Sequence, residues 1–284
     1  MTDRQTCLVT GATSGIGRAA AFGLAALGHR LILVGRDEVK LGRTADAIRS
    51  RCGSAEIATC RCDLSLMRDV RSAAERIARD HRRLDVLINN AGARFLRHQL
   101  TDEGIEMTLA TNHLGHFVLT LSLAGLLTSP GGARIINVSS GAHYGGTGVL
   151  ENIRSAQGYD GKRQYAESKL AGVLFTYALA ERWKGQGIVV NALDPGCAAT
   201  NFSRNNGTWS WLKHRLSYFL RGRLRTPAKG AETILYLATS DEVAGVTGRY
   251  FRDKKEITSS DISYARQVQG AVWASSVGLG GIDL

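Results

Sequence analysis

Tyr165-Ala-Glu-Ser-Lys169 puts a phenol and an ammonium four positions apart, one turn along a single helical face. A phenol with an ordinary pKa near ~10 is a poor acid or base at neutral pH until a nearby cation stabilises its anion. Lys169 can be that cation, so the pair reads as proton-transfer machinery. Pairs at this spacing also arise by chance on solvated helices. What singles this one out is its company: the chain begins with a glycine-rich, nucleotide-binding type of loop, and Ser139-Ser140 follows a strand-like run just upstream.

The loop follows the short apolar run Leu8-Val9 and reads Thr10-Gly11-Ala12-Thr13-Ser14-Gly15-Ile16-Gly17-Arg18. Its glycines let the backbone turn tightly and approach a pyrophosphate, whose charge the amides at the next helix N-terminus stabilise. The spacing is G-x-x-x-G-x-G. The choice of dinucleotide falls at the end of the second strand, where an acidic residue bonds a ribose 2′-hydroxyl and an arginine accepts a 2′-phosphate. Gly35-Arg36 stands there, with Arg18 directly after the first loop, and two guanidiniums suit a doubly charged phosphate. Asp37 competes, either as the N-cap of the helix starting at Glu38 or as a ribose ligand. The expectation is NADP(H) rather than NAD(H).

Positioning these groups requires an alternation of strands and helices. After the loop comes an apolar-periodic helix through Ala19, Phe22, Leu24 and Leu27, ended by Gly28, and then the strand Arg30 to Gly35. Helices near 38–51 and 66–81 separate strands near 56–62 and 85–89. A long helix from Glu103 to Leu127 leads to strand 134–138, and another from Arg163 to Lys184 leads to strand 188–192. Continuous Val/Ile/Leu runs in such alternation predict a doubly wound α/β fold, a parallel sheet covered on both faces, as one domain over 1–284. Ligands bind beyond the carboxyl ends of such strands. Gly11 to Gly17, Asp63, Asn90 to Gly92, Ser139-Ser140 and Pro195-Gly196 all follow predicted strands; any one alone reads equally as a turn.

Composition sets the outer bounds. Of 284 residues, 44% are apolar and 21% charged, a globular balance with enough chain for a sizeable core. The net charge of +11 comes from scattered Lys and Arg with no basic helix or nucleic-acid motif, which argues for surface charge and an anionic cofactor and against nucleic acid. Five cysteines, Cys7, Cys52, Cys60, Cys62 and Cys197, lack a second cluster at metal-ligand spacing, so they read as structural thiols of a reducing cytoplasm, with no metal. There is no signal-peptide pattern, and the most apolar stretch, Leu114 to Leu127, is interrupted by Gly115, His116, Ser122 and Gly125. A cytoplasmic protein, soluble or at most peripheral to a membrane, is expected.

Together the motifs resemble the short-chain dehydrogenases/reductases over residues 5 to about 250: Thr10-Gly11-x-x-x-Gly15-Ile16-Gly17, Asp63-Leu64, Asn89-Asn90-Ala91-Gly92, Asn112, Ser140, Tyr165-x-x-x-Lys169 and Pro195-Gly196-x-x-x-Thr200. Thr111-Asn112-His-Leu-Gly-His-Phe117, Asn137-Val-Ser-Ser-Gly-Ala-His143 and Gly248-Arg-Tyr-Phe251 are most similar to the retinol dehydrogenase-like and protochlorophyllide reductase-like branch. The resemblance implies a Rossmann-type fold in which Asp63 and Leu64 contact adenine, Asn90, Ala91 and Gly92 line the cofactor, and Thr200 steadies the nicotinamide side. It implies that Asn112 kinks its helix and holds a water, and that Ser140, not Ser139, is the catalytic serine. Tyr165 is then the acid/base, and Lys169 lowers its pKa and bonds the nicotinamide ribose. Asp194, where that branch often has histidine, the missing N-terminal anchor of its animal members, and the individual sequence of 141–160 all bear on the substrate.

Hydride transfer leaves negative charge on a carbonyl oxygen, which Ser140 can bond while Tyr165 delivers the proton. The resulting expectation is NADPH-dependent reduction of an aldehyde or ketone on a lipophilic scaffold, retinoid-, steroid- or polyketide/terpenoid-like, the alcohol being the reverse substrate. One alternative keeps fold and cofactor but performs net non-redox epimerisation, elimination or cyclisation. Another is an NADP(H)-sensing binding protein, which a broken catalytic set would mark; here the set is complete. Residues 201–226, with Phe202, Trp209 and Trp211 among basic residues, are expected to form a substrate lid, a core-facing helix or a membrane contact. His143 either touches substrate or satisfies its own loop. The C-terminal extension 253–284, apolar at helical spacing, is expected to pack on the lid or on a second copy of the chain and to end loosely at Gly278 to Gly281.

Overall fold

A computed structural model describes residues 4–53, 55–128, 131–150, 156–197 and 225–282. Its strands are β1 (Thr6–Thr10), β2 (Arg30–Gly35), β3 (Ile57–Arg61), β4 (Val86–Asn89), β5 (Ala133–Val138), β6 (Ile188–Asp194), β7 (Arg249–Arg252) and β8 (Lys255–Glu256). They form one sheet in the order β3-β2-β1-β4-β5-β6-β7-β8. All neighbours are parallel except the short hairpin of β7 with β8. That hairpin turns through Asp253 and Lys254, both at positive φ. The sheet is the doubly wound one expected, with its switch point between β1 and β4.

Every residue of β1, β4 and β6 is buried, as their continuous apolar runs require. Alternate side chains feed opposite layers. Leu8, Leu87, Ile135 and Val190 pack with Leu114, Phe117, Phe175 and Trp273. Val9, Ile88, Ile136 and Leu193 pack with Leu24, Leu41, Ile48 and Ile234. The second layer is built by α1 (Gly15–Ala26), α2 (Glu38–Cys52) and α8 (Pro227–Thr239). The first is built by α3 (Met67–Asp80), α4 (Met107–Leu109), α5 (Gly115–Ser122), α6 (Ala124–Leu127), α7 (Gly161–Arg182) and α9 (Arg266–Gly280).

Two expectations need correction. The long helix does not begin at Glu103. That carboxylate instead accepts the Met67 and Arg68 amides at the start of α3, at 2.6 and 3.0 Å, and Glu106 caps α4. A side chain that caps another helix from outside is not part of a helical period, so the apolar pattern overran the true start. Between α4 and α5 the chain makes a π turn, Ala110–Leu114, where the Gly115 amide reaches back to the Ala110 carbonyl. Nor are Gly278 to Gly281 loose: α9 runs to Gly280, Gly281 ends it in the left-handed conformation, and Arg71 donates to both glycine carbonyls. The buried Val272 and Trp273 hold the helix down. The helix α8 starts from a Thr226 cap with Pro227 in its first turn.

Candidate active site

The loop after β1 is built around Thr10 and Gly17. Thr10 Oγ accepts the Asn90 and Ala91 amides at 2.9 and 3.0 Å, while its carbonyl accepts Asn90 Nδ2 at 2.8 Å, tying the loops after β1 and β4 together. Gly17 sits in that junction: a Cβ there would lie 2.3 Å from Asn90 Nδ2 and 2.5 Å from the Gly11 carbonyl. Gly11 itself turns at φ +67°. Ser14 enters α1 with no side-chain cap, and no acidic residue stands in the first turn of that helix. Thr13, Ser14, Gly15 and Ile16 thus border a helix N-terminus suited to an anion. Arg18 is exposed, its guanidinium 4.9 Å above the Phe22 ring, and Arg36 is exposed at the end of β2. Asp37 resolves as the N-cap of α2, bonded to the Lys40 amide at 3.0 Å and paired with its ammonium at 2.8 Å. That ammonium holds the exposed carboxyl below its usual range. Asp63 holds the Ser65 amide and hydroxyl, and Leu64 is buried beside it.

The candidate proton-handling residues lie where α7 crosses the π turn. Asn112 is fully engaged: its carbonyl oxygen accepts the Ala93 amide at 2.7 Å, and its Nδ2 donates to the Ala93 carbonyl and to Ser168 Oγ, each at 2.9 Å. Ser168 passes its own proton to the Tyr165 carbonyl at 2.8 Å. Asn112 is therefore locked to the turn of α7 that bears Tyr165 and Lys169. Lys169 Nζ donates to the Val138 carbonyl at the end of β5, 2.9 Å away, and stands 5.9 Å from the centre of the Tyr165 ring. The Arg94 guanidinium lies at 6.0 Å from the same ring.

The serine pair divides its duties. Ser139 is buried and donates to the Lys169 carbonyl at 3.0 Å, fastening α7 to β5. Ser140 is less buried; its Oγ accepts the Ala142 amide at 3.2 Å and donates to no partner among the described residues. His143 is wholly buried: Nδ1 lies 2.8 Å from the Ser140 carbonyl and Nε2 accepts the Ser260 amide at 3.1 Å. Of its two readings, the loop-satisfying bond is the one present. Its imidazole shapes the serine turn.

Burial sets the local electrostatics. It pushes the Lys169 ammonium down to about 8, with the Asp194 carboxylate pulling the other way. That carboxylate also accepts the Gly196 amide at 2.9 Å, shaping the Pro195-Gly196 turn at the end of β6. His116 is brought to about 3, chiefly by burial and secondarily by Lys169. Its Nδ1 faces the Asn112 carbonyl at 3.2 Å and its Nε2 faces Thr10 Oγ at 3.0 Å. A carbonyl only accepts, so the ring is neutral with its proton on Nδ1, and Nε2 shares the single Thr10 hydroxyl proton with the Ile88 carbonyl, 3.2 Å from Oγ.

The residues that sequence reasoning missed are the connectors: Thr10 as a hub, Ser168, His116 and Arg94. Thr200, Phe202, Trp209 and Trp211, and nearly all of the 201–226 segment, lie outside the described residues. A groove of ≈ 580 Å³ opens at the opposite, N-terminal ends of β1, β2 and β3 and is lined by none of the candidate site residues.

Comparisons with known proteins agree with this geometry. The family model of short chain dehydrogenases matches residues 5–211. Retinol dehydrogenase 14 of Homo sapiens is 40% identical over 265 residues, covering 89% of this chain and 79% of that protein. Retinol dehydrogenase 13 of Homo sapiens is 36% identical over 284 residues, covering 98% and 85%. Among solved structures, an actinorhodin polyketide ketoreductase variant with NADPH matches with a TM-score of 0.71 at 28% identity, over 88% of this chain and 96% of that one.

Proposed function

The chain belongs to the short-chain dehydrogenase family, in its retinol dehydrogenase-like branch, and from that premise we propose that it reduces the carbonyl of a lipophilic aldehyde or ketone with NADPH. It is an oxidoreductase of that family; the preferred cofactor, the substrate class and the individual residue roles are the proposal. The observation that carries it is the lock of Asn112 through Ser168 onto the turn of α7 that bears Tyr165 and Lys169. A protein kept only for binding has no need of that arrangement.

The residues fit a dinucleotide with a 2′-phosphate. Gly17 leaves no room for a side chain under the loop, the N-terminus of α1 is uncapped by side chains, and Asp37 is taken up by Lys40 while Arg36 and Arg18 are exposed. Asn90, Ala91, Gly92, Pro195 and Gly196 would line it, with Asp63 and Leu64 at the adenine. When bound, NADPH supplies the hydride. Ser140 bonds the carbonyl oxygen with the proton it has not committed, and Tyr165 delivers the proton that neutralises the alkoxide. Lys169 has used one of its three protons on Val138, leaving two to hold the ribose and a charge to stabilise the tyrosinate left behind.

The lipophilic substrate rests on the relatives, which are retinol dehydrogenases. The test follows NADPH absorbance with purified protein over a panel of lipophilic aldehydes and ketones, with NADH and Arg36→Ala in parallel. Turnover with NADPH is expected, falling ~10² to 10⁴-fold in Tyr165→Phe. Arg36→Ala should raise the KM for NADPH and leave that for NADH unchanged. Preference for NADH would show that the two arginines serve another purpose. NADPH binding without consumption, accompanied by product formation, would favour a net non-redox reaction.

A further inference from the structure

The π turn carrying Asn112 is tethered by histidines on both faces. His116 reaches β1, as described above. His113 points the other way, toward α9, where its Nε2 lies 2.6 Å from Ser276 Oγ. Ser276 gives its single proton to the Val272 carbonyl at 2.7 Å, so it accepts from His113, which places the imidazole proton on Nε2. Nδ1 is then an acceptor, and it meets no donor among the described residues. Burial holds the ring neutral, bringing its pKa down to about 3.

Asn89 presents a second such acceptor. Asn137 gives its amide protons toward Thr176 Oγ at 2.9 Å, so its own oxygen faces Asn89 Nδ2 at 2.8 Å. Asn89 Nδ2 spends its other proton on Thr120 Oγ at 3.0 Å, and Asn89 Oδ1 finds no donor among the described residues. Asn89 and His113 are only 1% and 2% exposed. Both line a single cavity of ≈ 10 Å³, together with Asn112, Asn137, Ser168 and Lys169.

We propose that this cavity binds one water molecule, which donates one proton to Asn89 Oδ1 and the other to His113 Nδ1, and that His113, held between this water and Ser276, is a positioning residue for Asn112. The volume is on the order of that needed for a single water, and two polar partners are enough to retain it. The stoichiometry matches: two stranded acceptors and a ligand with two protons. A metal cation is disfavoured because the Lys169 ammonium lines the same space. The C-terminal helix thereby becomes part of the active-site scaffold, since Ser276 sets the tautomer that turns the Nδ1 lone pair to the water. His113 directly follows Asn112, so the ring and the catalytic amide share one turn of backbone.

The positioning role rests on the reading of Asn112 as a member of the catalytic set; the water site does not. Both are tested on the full chain. A crystal structure at a resolution that shows ordered water should have density within hydrogen-bonding distance of Asn89 Oδ1 and His113 Nδ1. Ring-¹⁵N NMR of histidine-labelled protein, assigned with His113→Phe, should find His113 neutral with its proton on Nε2. Ser276→Ala should lower kcat about tenfold, the rate equivalent of a misplaced hydrogen bond, with cofactor affinity and KM within about twofold. A dry cavity or an Nδ1–H tautomer overturns the water site. Wild-type kcat per cofactor-binding site in Ser276→Ala overturns the positioning role, because a helix that merely supports the fold would lower the melting temperature and leave that rate untouched. Failure of the wild type to reduce any carbonyl would count against the proposed reaction alone, as density and tautomer are read without turnover.

Discussion

Lys169 is an ammonium held where an ammonium is disfavoured: only 5% exposed, with one carbonyl bond and the field of Asp194 for compensation. Its pKa in the folded protein is brought to about 8, so the charge is present below that pH and lost as pH rises through it. Carbonyl reduction should therefore hold steady through neutral pH and decline on an alkaline limb with an apparent pKa near 8, read from a pH profile of kcat/KM. Lys169→Met should be slow at every pH and lack that limb; an unchanged limb would assign it to another group. Tyr165 and Lys169 were legible in the sequence because a helix makes four-residue spacing a contact. Ser168 was not, although it lies between them, because its decisive partner Asn112 is 56 positions upstream.

At the scale of elements, the glycine loop and the π turn behave differently under sequence reading. The loop's function follows from local geometry alone, since a turn that approaches phosphate needs residues without side chains. What the structure adds is that Gly17 is pressed by Asn90 Nδ2 and by the Gly11 carbonyl. Gly17→Ala should then displace the loop after β4 along with the first, raising the Kd for NADPH at least about tenfold while the far-UV spectrum is kept. Isothermal titration measures it, and near-normal affinity would mean that Asn90 yields without cost. The π turn left only a partial trace in the sequence. Resemblance implied a kink at Asn112, but apolar spacing does not distinguish one extra residue in a turn from continuous helix. The turn is held at Asn112 by Ala93, at His113 by Ser276, and at the Asn112 backbone carbonyl by His116, which Thr10 meets in turn.

Over the whole molecule, the grip of two neutral histidines carries a pH cost. The rings of His113 and His116 are both held near 3 by burial, against an ordinary value of 6.5. The unfolded chain takes up protons between those limits that the folded chain refuses, so their contribution is complete above about 6.5 and declines as pH falls toward 3. The melting temperature should drop between pH 7 and about 4.5, and drop less steeply in His116→Gln, whose amide does not titrate. Equal slopes would place acid sensitivity in the carboxylates instead. Among the described residues several arginines are paired with carboxylates, as Arg225 is with Asp253 and Arg30 with Glu56.

What the sequence determined by itself was whatever depends on short range: the parallel alternation of strands and helices, the phosphate-type loop, the phenol–ammonium pair and the strand ends at which ligands gather. Local periodicity and spacing encode these because a helix or strand imposes its geometry within a few residues. Resemblance singled out Ser140, but packing alone shows that Ser139 is bonded to the Lys169 carbonyl, that Asp37 caps a helix, that His143 turns inward, and that α9 closes on the π turn. Each of those outcomes depends on how many hydrogen-bond partners a side chain finds on another element. That count is set by packing between segments tens to hundreds of residues apart, where no spacing along the chain records it.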